Sequence, residues 1–145
     1  MNNLQTEKQV ILLAPANVTN GATATANLDT KGHSAVDITV QIGAFAGGTN
    51  GASPATIKLG ESDDTVATNF ADITGATANA SLTASGNVRF NVNLRGRKRY
   101  LRLTFAPAAN GTNDAVIVGA MARFDRSAEM PESTSEYGDT IVKVI

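Results

Sequence analysis

The chain has 145 residues, 12 basic and 13 acidic, for a formal net charge of −1, and no cysteine. That length lets one domain close a core without covalent staples, and the balanced charge leaves no overall field to draw it onto nucleic acid or an anionic membrane. The lack of cysteine excludes disulfides, thiolate metal sites and cysteine nucleophiles.

Aromatic residues make up only 5% of the chain and tryptophan is absent, which argues against a sugar-stacking lectin or a single-strand nucleic-acid platform. The first apolar stretch, Val10 to Ala14, is far shorter than the ~20 residues of a membrane span. Preceded by Lys8 it faintly imitates a secretion signal, but Glu7 stands where positive charge should prevail. Residues 1–20 read as an N-terminal arm whose Val10 to Leu13 pairs as an edge strand or with a neighbouring subunit. The Asn-x-Ser/Thr triplets at Asn17, Asn79 and Asn110 read as chance in an Asn/Thr-rich chain.

After an Asn20-Gly21 turn, Ala22 to Leu28 forms a weak alternating strand. His33, the only histidine, follows the Lys31-Gly32 turn and is expected to be an exposed turn residue rather than a general base. No Gly-x-Ser-x-Gly elbow accompanies it. Val36, Ile38, Val40 and Ile42 then alternate with Asp37, Thr39 and Gln41, the two-residue period of a half-buried strand. Gly43 to Gly51 lacks the Gly-Lys-Ser/Thr ending of a phosphate loop and reads as a flexible connection.

Ala55, Ile57 and Leu59 mark the next strand. Glu61, Asp63 and Asp64 at its end form the one candidate for oxygen ligation of calcium, against the alternative of a solvated turn capped by its own Asp side chain. Glu61 to Ser85 is irregular and reads as a long connection with one short strand at most, tied to the core by Phe70 and Ile73. Val88, Phe90, Val92 and Leu94, then Leu101, Leu103 and Phe105, give two clear strands.

Between them lies the basic run Arg95, Arg97, Lys98, Arg99 and Arg102, with Gly96 placed for a tight turn at a hairpin tip. Three uses stay open: nucleic-acid contact, a solubilising tip, or docking of an acidic protein surface. Ala115 to Ala122 is apolar on both faces, which predicts a central strand covered on each side. Asp125 to Asp139 is polar and aperiodic and reads as an extended arm. It ends in the apolar segment Thr140 to Ile145, which either folds back on its own sheet or pairs with another subunit through Ile141, Val142 and Val144.

The predicted class is all-β: a single β-sandwich, jelly-roll or immunoglobulin-like, with extended arms at both ends. The divisions are residues 1–20, the sandwich at 21–124 and the acidic arm at 125–145. Alternation does not encode strand order, so the two sandwich types are not separated here.

The residues Ile57-Lys58-Leu59-Gly60-Glu61-Ser62-Asp63-Asp64, Phe70-Ala71-Asp72-Ile73 and Leu94-Arg95-Gly96-Arg97-Lys98-Arg99-Tyr100-Leu101-Arg102-Leu103 together resemble small virion proteins of tailed bacteriophages, some of them head decoration (cement) proteins. The resemblance covers about residues 35 to 122 and rests on motif order. The first twenty residues and the tail after Phe124 depart from it. It implies a β-sandwich on the outside of the capsid that stabilises the shell, made in the host bacterial cytoplasm. The implied partners are the major capsid protein and the chain itself, as a trimer or a dimer, with no direct nucleic-acid or membrane contact.

Expected interface residues are Arg95, Arg97, Lys98, Arg99, Arg102, Ile141, Val142 and Val144, with no catalytic residue, metal or cofactor. The competing expectation is a carbohydrate- or receptor-binding sandwich of a phage tail or bacterial surface. An enzyme is disfavoured, because a metal-dependent cupin would find too few ligands in one histidine and no cysteine.

Overall fold

A computed structural model describes residues 8–43, 55–80, 85–107, 115–125 and 141–145. Its strands are β1 Lys8–Thr19, β2 Ala24–Asp29, β3 Ala35–Ile42, β4 Ala55–Ser62, β5 Ala71–Ala80, β6 Gly86–Asn93, β7 Tyr100–Ala106, β8 Ala115–Asp125 and β9 Ile141–Val144. A 3₁₀ turn, Ala67–Asn69, precedes β5. Among the described residues no helix is long and apolar enough to cross a membrane.

The strands form two sheets, β1-β8-β3-β6-β9 and β2-β7-β4-β5. The antiparallel pairs β1–β8, β2–β7, β3–β6 and β4–β5 nest like one long hairpin. Pairs β3–β8 and β4–β7 then join these ladders into sheets. Eight strands nested this way and wound into two layers are a jelly roll, which resolves the choice that alternation left open. β9 is an addition, lying parallel to β6 at the sheet edge.

The core follows from alternation. Val36, Ile38, Val40 and Ile42 of β3 are all buried, as are Val88, Phe90 and Val92 of β6 and Leu101, Leu103 and Phe105 of β7. β5 emerges as a ten-residue strand where the sequence suggested a connection. Its inward residues are Ile73, Ala76 and Ala78, and the three-residue step is made at Gly75, whose φ of 84° only glycine adopts readily. The irregularity here sets the five-residue step from Asp72 to Thr77 against the two-residue step from Gly60 to Lys58, so Ile73 and Ala76 share a face although their spacing breaks the two-residue period. Ile73 is buried and Phe70 half-buried, in keeping with their expected anchoring role.

The edge strand offered at Val10 to Leu13 is longer than that segment: Lys8–Thr19 forms the edge of the five-stranded sheet, in register with β8 from Lys8↔Phe124 to Thr19↔Ala115. Its register shifts lie between Ile11 and Leu13 and between Leu13 and Ala16, and they obscured the period. They also fold Pro15 over the outer face of β8, where a Cβ on Gly119 would stand 3.2 Å from the proline Cγ.

The segment between β6 and β7 is no hairpin tip. Its flanking strands belong to different sheets, so Leu94 to Arg99 arches from one layer to the other. The expected turn is present, with Gly96 at φ 80° and the Arg97 N–H donating to the Leu94 carbonyl. Arg99 grips the end of β2 through a fork to Asp29, with Nε–Oδ1 at 2.9 Å and Nη2–Oδ2 at 2.6 Å. The Arg99 guanidinium, helped by the Lys31 N–H, holds the Asp29 carboxyl down at about 2.

Two outcomes follow from this packing. Gly119→Ala should lower unfolding free energy by about 1–3 kcal/mol through overpacking, measured by denaturant titration. The loss should shrink when Pro15→Gly is added; strictly additive losses would show that Pro15 is not the obstacle. The folded value of Asp29 lies below its ordinary 3.8, so its contribution is full above 3.8 and disappears as pH falls through 2. Asp29→Asn should therefore lower the melting temperature modestly at pH 7, the pair being half-exposed, and by only a small part of that at pH 2. Equal differences at both pH values would contradict the pairing.

Candidate interaction surface

The outer faces of the two sheets differ in chemistry. Across the four-stranded sheet, register places Thr25, Thr104, Lys58 and Thr77 in one row and Asn27, Arg102, Gly60 and Asp72 in the next. Its charges are engaged locally: Lys58 Nζ lies 2.8 Å from Asp72 Oδ2, and Arg102 donates to the Ala67 carbonyl and Thr25 Oγ1. The Arg102 guanidinium also sits 5.3 Å from the centre of the Phe70 ring, a cation–π contact. This face is suited to water.

The five-stranded sheet carries large apolar side chains outward. Ile11 and Met121 are register partners across β1 and β8, and Ile117 lies four residues back on the same face of β8. They are 69%, 42% and 53% exposed. Between Met121 and Ile117, Gly119 supplies no side chain and Pro15 covers it. The result is an apolar strip along the β1–β8 seam. Beside it lies an open recess of about 450 Å³ that Pro15 and Ile117 line with apolar groups and Gln41, Ser85 and Asn87 with polar ones, around Gly43, Gly86 and Gly119. Farther across the sheet Asp37 Oδ1 meets Arg89 Nε at 3.2 Å, both side chains largely covered.

The sequence singled out other residues. Arg97 reaches Glu61 at 3.8 Å, Lys98 reaches Asp63 at 3.5 Å, and Arg99 pairs with Asp29. The basic run is thus drawn onto carboxylates of its own chain, with Arg95 exposed at the arch. The proposed calcium carboxylates are accounted for by the same contacts. Asp64 accepts from the Val66 N–H and from Asn69 Nδ2, and the Asn69 hydrogen bond leads in holding its carboxyl below the ordinary value. Asp64 is the turn cap of the alternative reading, and among the described residues no group of three metal-binding side chains occurs.

His33 is not an exposed turn residue: it is half-buried and stacks on Phe124 with ring centres 4.0 Å apart. Of the two alternatives for the terminal strand, β9 shows the fold-back one, with Ile141 to Val144 paired to β6 of the same chain. Val144 is 57% exposed; the side chains of Ile141 and Val142, the glycine-rich loop at 44–51, Asn110 and the acidic stretch 126–140 lie outside the described residues.

Sequence reasoning missed Ile11, Ile117 and Met121. The signal was present in Ala115 to Ala122, whose second apolar face suggested cover from another layer. β8 is indeed flanked by β1 and β3, but its second face is open at Ile117 and Met121.

No family model matches the chain, and no curated protein matches it in sequence. Among solved structures, the CBM36-1 domain of a multidomain xylanase from the hindgut metagenome of Trinervitermes trinervoides overlaps 84% of this chain and 99% of its own, with 7% identity and a TM-score of 0.42. The tobacco streak virus coat protein overlaps 91% of this chain and 92% of its own, with 11% identity and a TM-score of 0.42. The structure of infectious bursal disease virus Gx strain overlaps 86% of this chain and 34% of its own, with 14% identity and a TM-score of 0.48. Coat proteins and carbohydrate-binding domains thus stand side by side among the neighbours, and likeness at this level assigns no function. The jelly roll rests on the strand order of the chain itself.

Proposed function

We propose that this protein is a non-catalytic structural component of a tailed-phage virion, a decoration protein that binds the outer surface of the head and stabilises it. One observation carries the reading: the sandwich is two-sided, with one outer face polar and internally paired and the other bearing an exposed apolar strip. Clustered apolar side chains on an outer face mark contact with another protein. The engagement of the cations and carboxylates around the arch supports a structural role, as does the stacking of the only imidazole on Phe124. The motif resemblance to virion proteins supplies the capsid as the setting.

A saccharide-binding module is the second reading, favoured by the Gln41 carboxamide at the recess. Weighing against it, no aromatic side chain lines that recess, and sugar faces are commonly held by rings.

The test is cosedimentation of the purified protein with phage heads lacking their decoration protein. Saturable binding to assembled heads, none to unassembled capsid subunits, and a loss of at least tenfold in affinity with Met121→Asp are expected. Failure to bind heads together with a defined hit on a glycan array would replace this reading by the second one.

A further inference from the structure

We propose that the outer edge of β6 is a strand-acceptor site, and that the segment Ile141–Ile145 fills it as a separable ligand, replaceable by the same sequence supplied from outside the chain. The inference goes beyond the decoration role and does not rest on it.

β9 stands apart from the rest of the fold. The eight nested strands complete the jelly roll without it. Among its described side chains Val144 faces solvent, and Ile145 just beyond is only partly buried against the core. Its pairing with β6 is parallel, so no hairpin turn ties the two strands together. β8 ends level with Ala35, whose partner on β6 is Asn93, whereas β9 begins level with Val88. The chain must therefore return along the sheet and past two strands, roughly 20 Å at strand dimensions. Residues 126–140 have a contour length of about 50 Å, so the connection does not hold β9 on β6. The contact itself does.

That contact has the form of strand addition. Four register pairs run from Val88↔Ile141 to Asn91↔Val144. Beyond them the Ile145 N–H donates to the Asn91 carbonyl at 2.9 Å, and the Asn93 N–H donates to the Ile145 carbonyl at 2.8 Å. The Ile145 side chain reaches toward the second sheet, its Cγ2 3.8 Å from where a Cβ on Gly75 of β5 would stand. Backbone hydrogen bonds thus set the register, and one aliphatic anchor lies at the gap between the layers.

Without β9, β6 would be an open edge. β1 carries Pro15 and two register shifts, β5 loses register with β4 around Gly75, and β2 is only six residues long. β6 instead pairs with β3 without interruption from Ala35↔Asn93 to Ile42↔Gly86, and Asn87 to Asn93 contains neither glycine nor proline. An unbroken edge of this kind is a template for a further strand. β9 supplies that strand and is itself a poor template. It has four residues, and Lys143, in register with the enclosed Phe90, sets a charge on the inner side of the sheet.

Two full-length variants release the segment by different routes. Ile145→Pro removes the donor to the Asn91 carbonyl, and Ile145→Asp charges the anchor. Each should keep a cooperative unfolding transition while hydrogen exchange at the Asn93 amide quickens at least tenfold. A synthetic peptide of residues 139–145 should bind either variant saturably and restore protection at Asn93. It should bind the unmodified protein at least tenfold more weakly, because the tethered segment competes at high effective concentration. The same peptide carrying Ile145→Pro should not bind. Global unfolding of both variants would overturn the proposal, since β9 would then belong to the cooperative fold. So would unchanged exchange at Asn93, or a folded, deprotected variant that ignores the peptide.

Discussion

Phe90, Phe105 and Phe124 are fully enclosed together with Ile38, Ile57, Leu59, Leu101 and Leu103, and these side chains come from five strands in two sheets. One shared layer of inward side chains therefore holds the sandwich, and each strand contributes only every second residue to it. A slip of one residue would turn that whole set outward, so the phase of alternation must be protected along every strand. The bulges do this. Gly75 in β5 and the two shifts in β1 accommodate extra residues while returning the chain to the same face.

Stability fixed by the inner layer leaves the outer residues free to differ, and here they differ by sheet. On the four-stranded side threonines and asparagine accompany the Lys58–Asp72 ion pair and an Arg102 hydrogen-bonded to the Ala67 carbonyl and Thr25 Oγ1. On the five-stranded side β8 lies between β1 and β3 yet presents Ile117 and Met121 to the exterior. Position alone does not demand this, since Thr39 and Gln41 of the adjacent strand occupy equivalent outward sites. Edge strand β1 carries a proline and two register shifts, features that discourage open-ended pairing through its free backbone. The β1 edge is thus blunted against strand addition.

The clean two-residue periods of β3, β4, β6 and β7 were legible because nothing interrupts them, and the burial of their inner residues needed no tertiary information. What escaped the sequence had physical causes. The step at Gly75 hid β5, and two consecutive bulges hid the length of β1. Nested pairing, which turns strands into a jelly roll, depends on contacts between residues as distant as Thr19 and Ala115, and no local pattern records it. The basic run was conspicuous as composition, but whether Arg97, Lys98 and Arg99 are available depends on Glu61, Asp63 and Asp29, which are remote in sequence. The apolar strip was half legible: the apolar second face of β8 was plain, whereas exposure is a property of what the fold lays beside it.

The arch between β6 and β7 constrains how such a protein grips a partner. Its guanidinium and ammonium groups are paired with carboxylates of the four-stranded sheet and its margin, whereas the strip on the other sheet offers apolar area. Exposed charge pairs weaken within a Debye length of about 8 Å at physiological salt, whereas apolar burial does not. In the decoration role proposed above, a contact of this kind would lose little strength as ionic strength varies, and its modest area would be offset by repetition over the shell. Many weak, salt-tolerant contacts would also allow copies to redistribute before such a layer is complete. A few tight charged contacts would instead trap each copy at its first landing site.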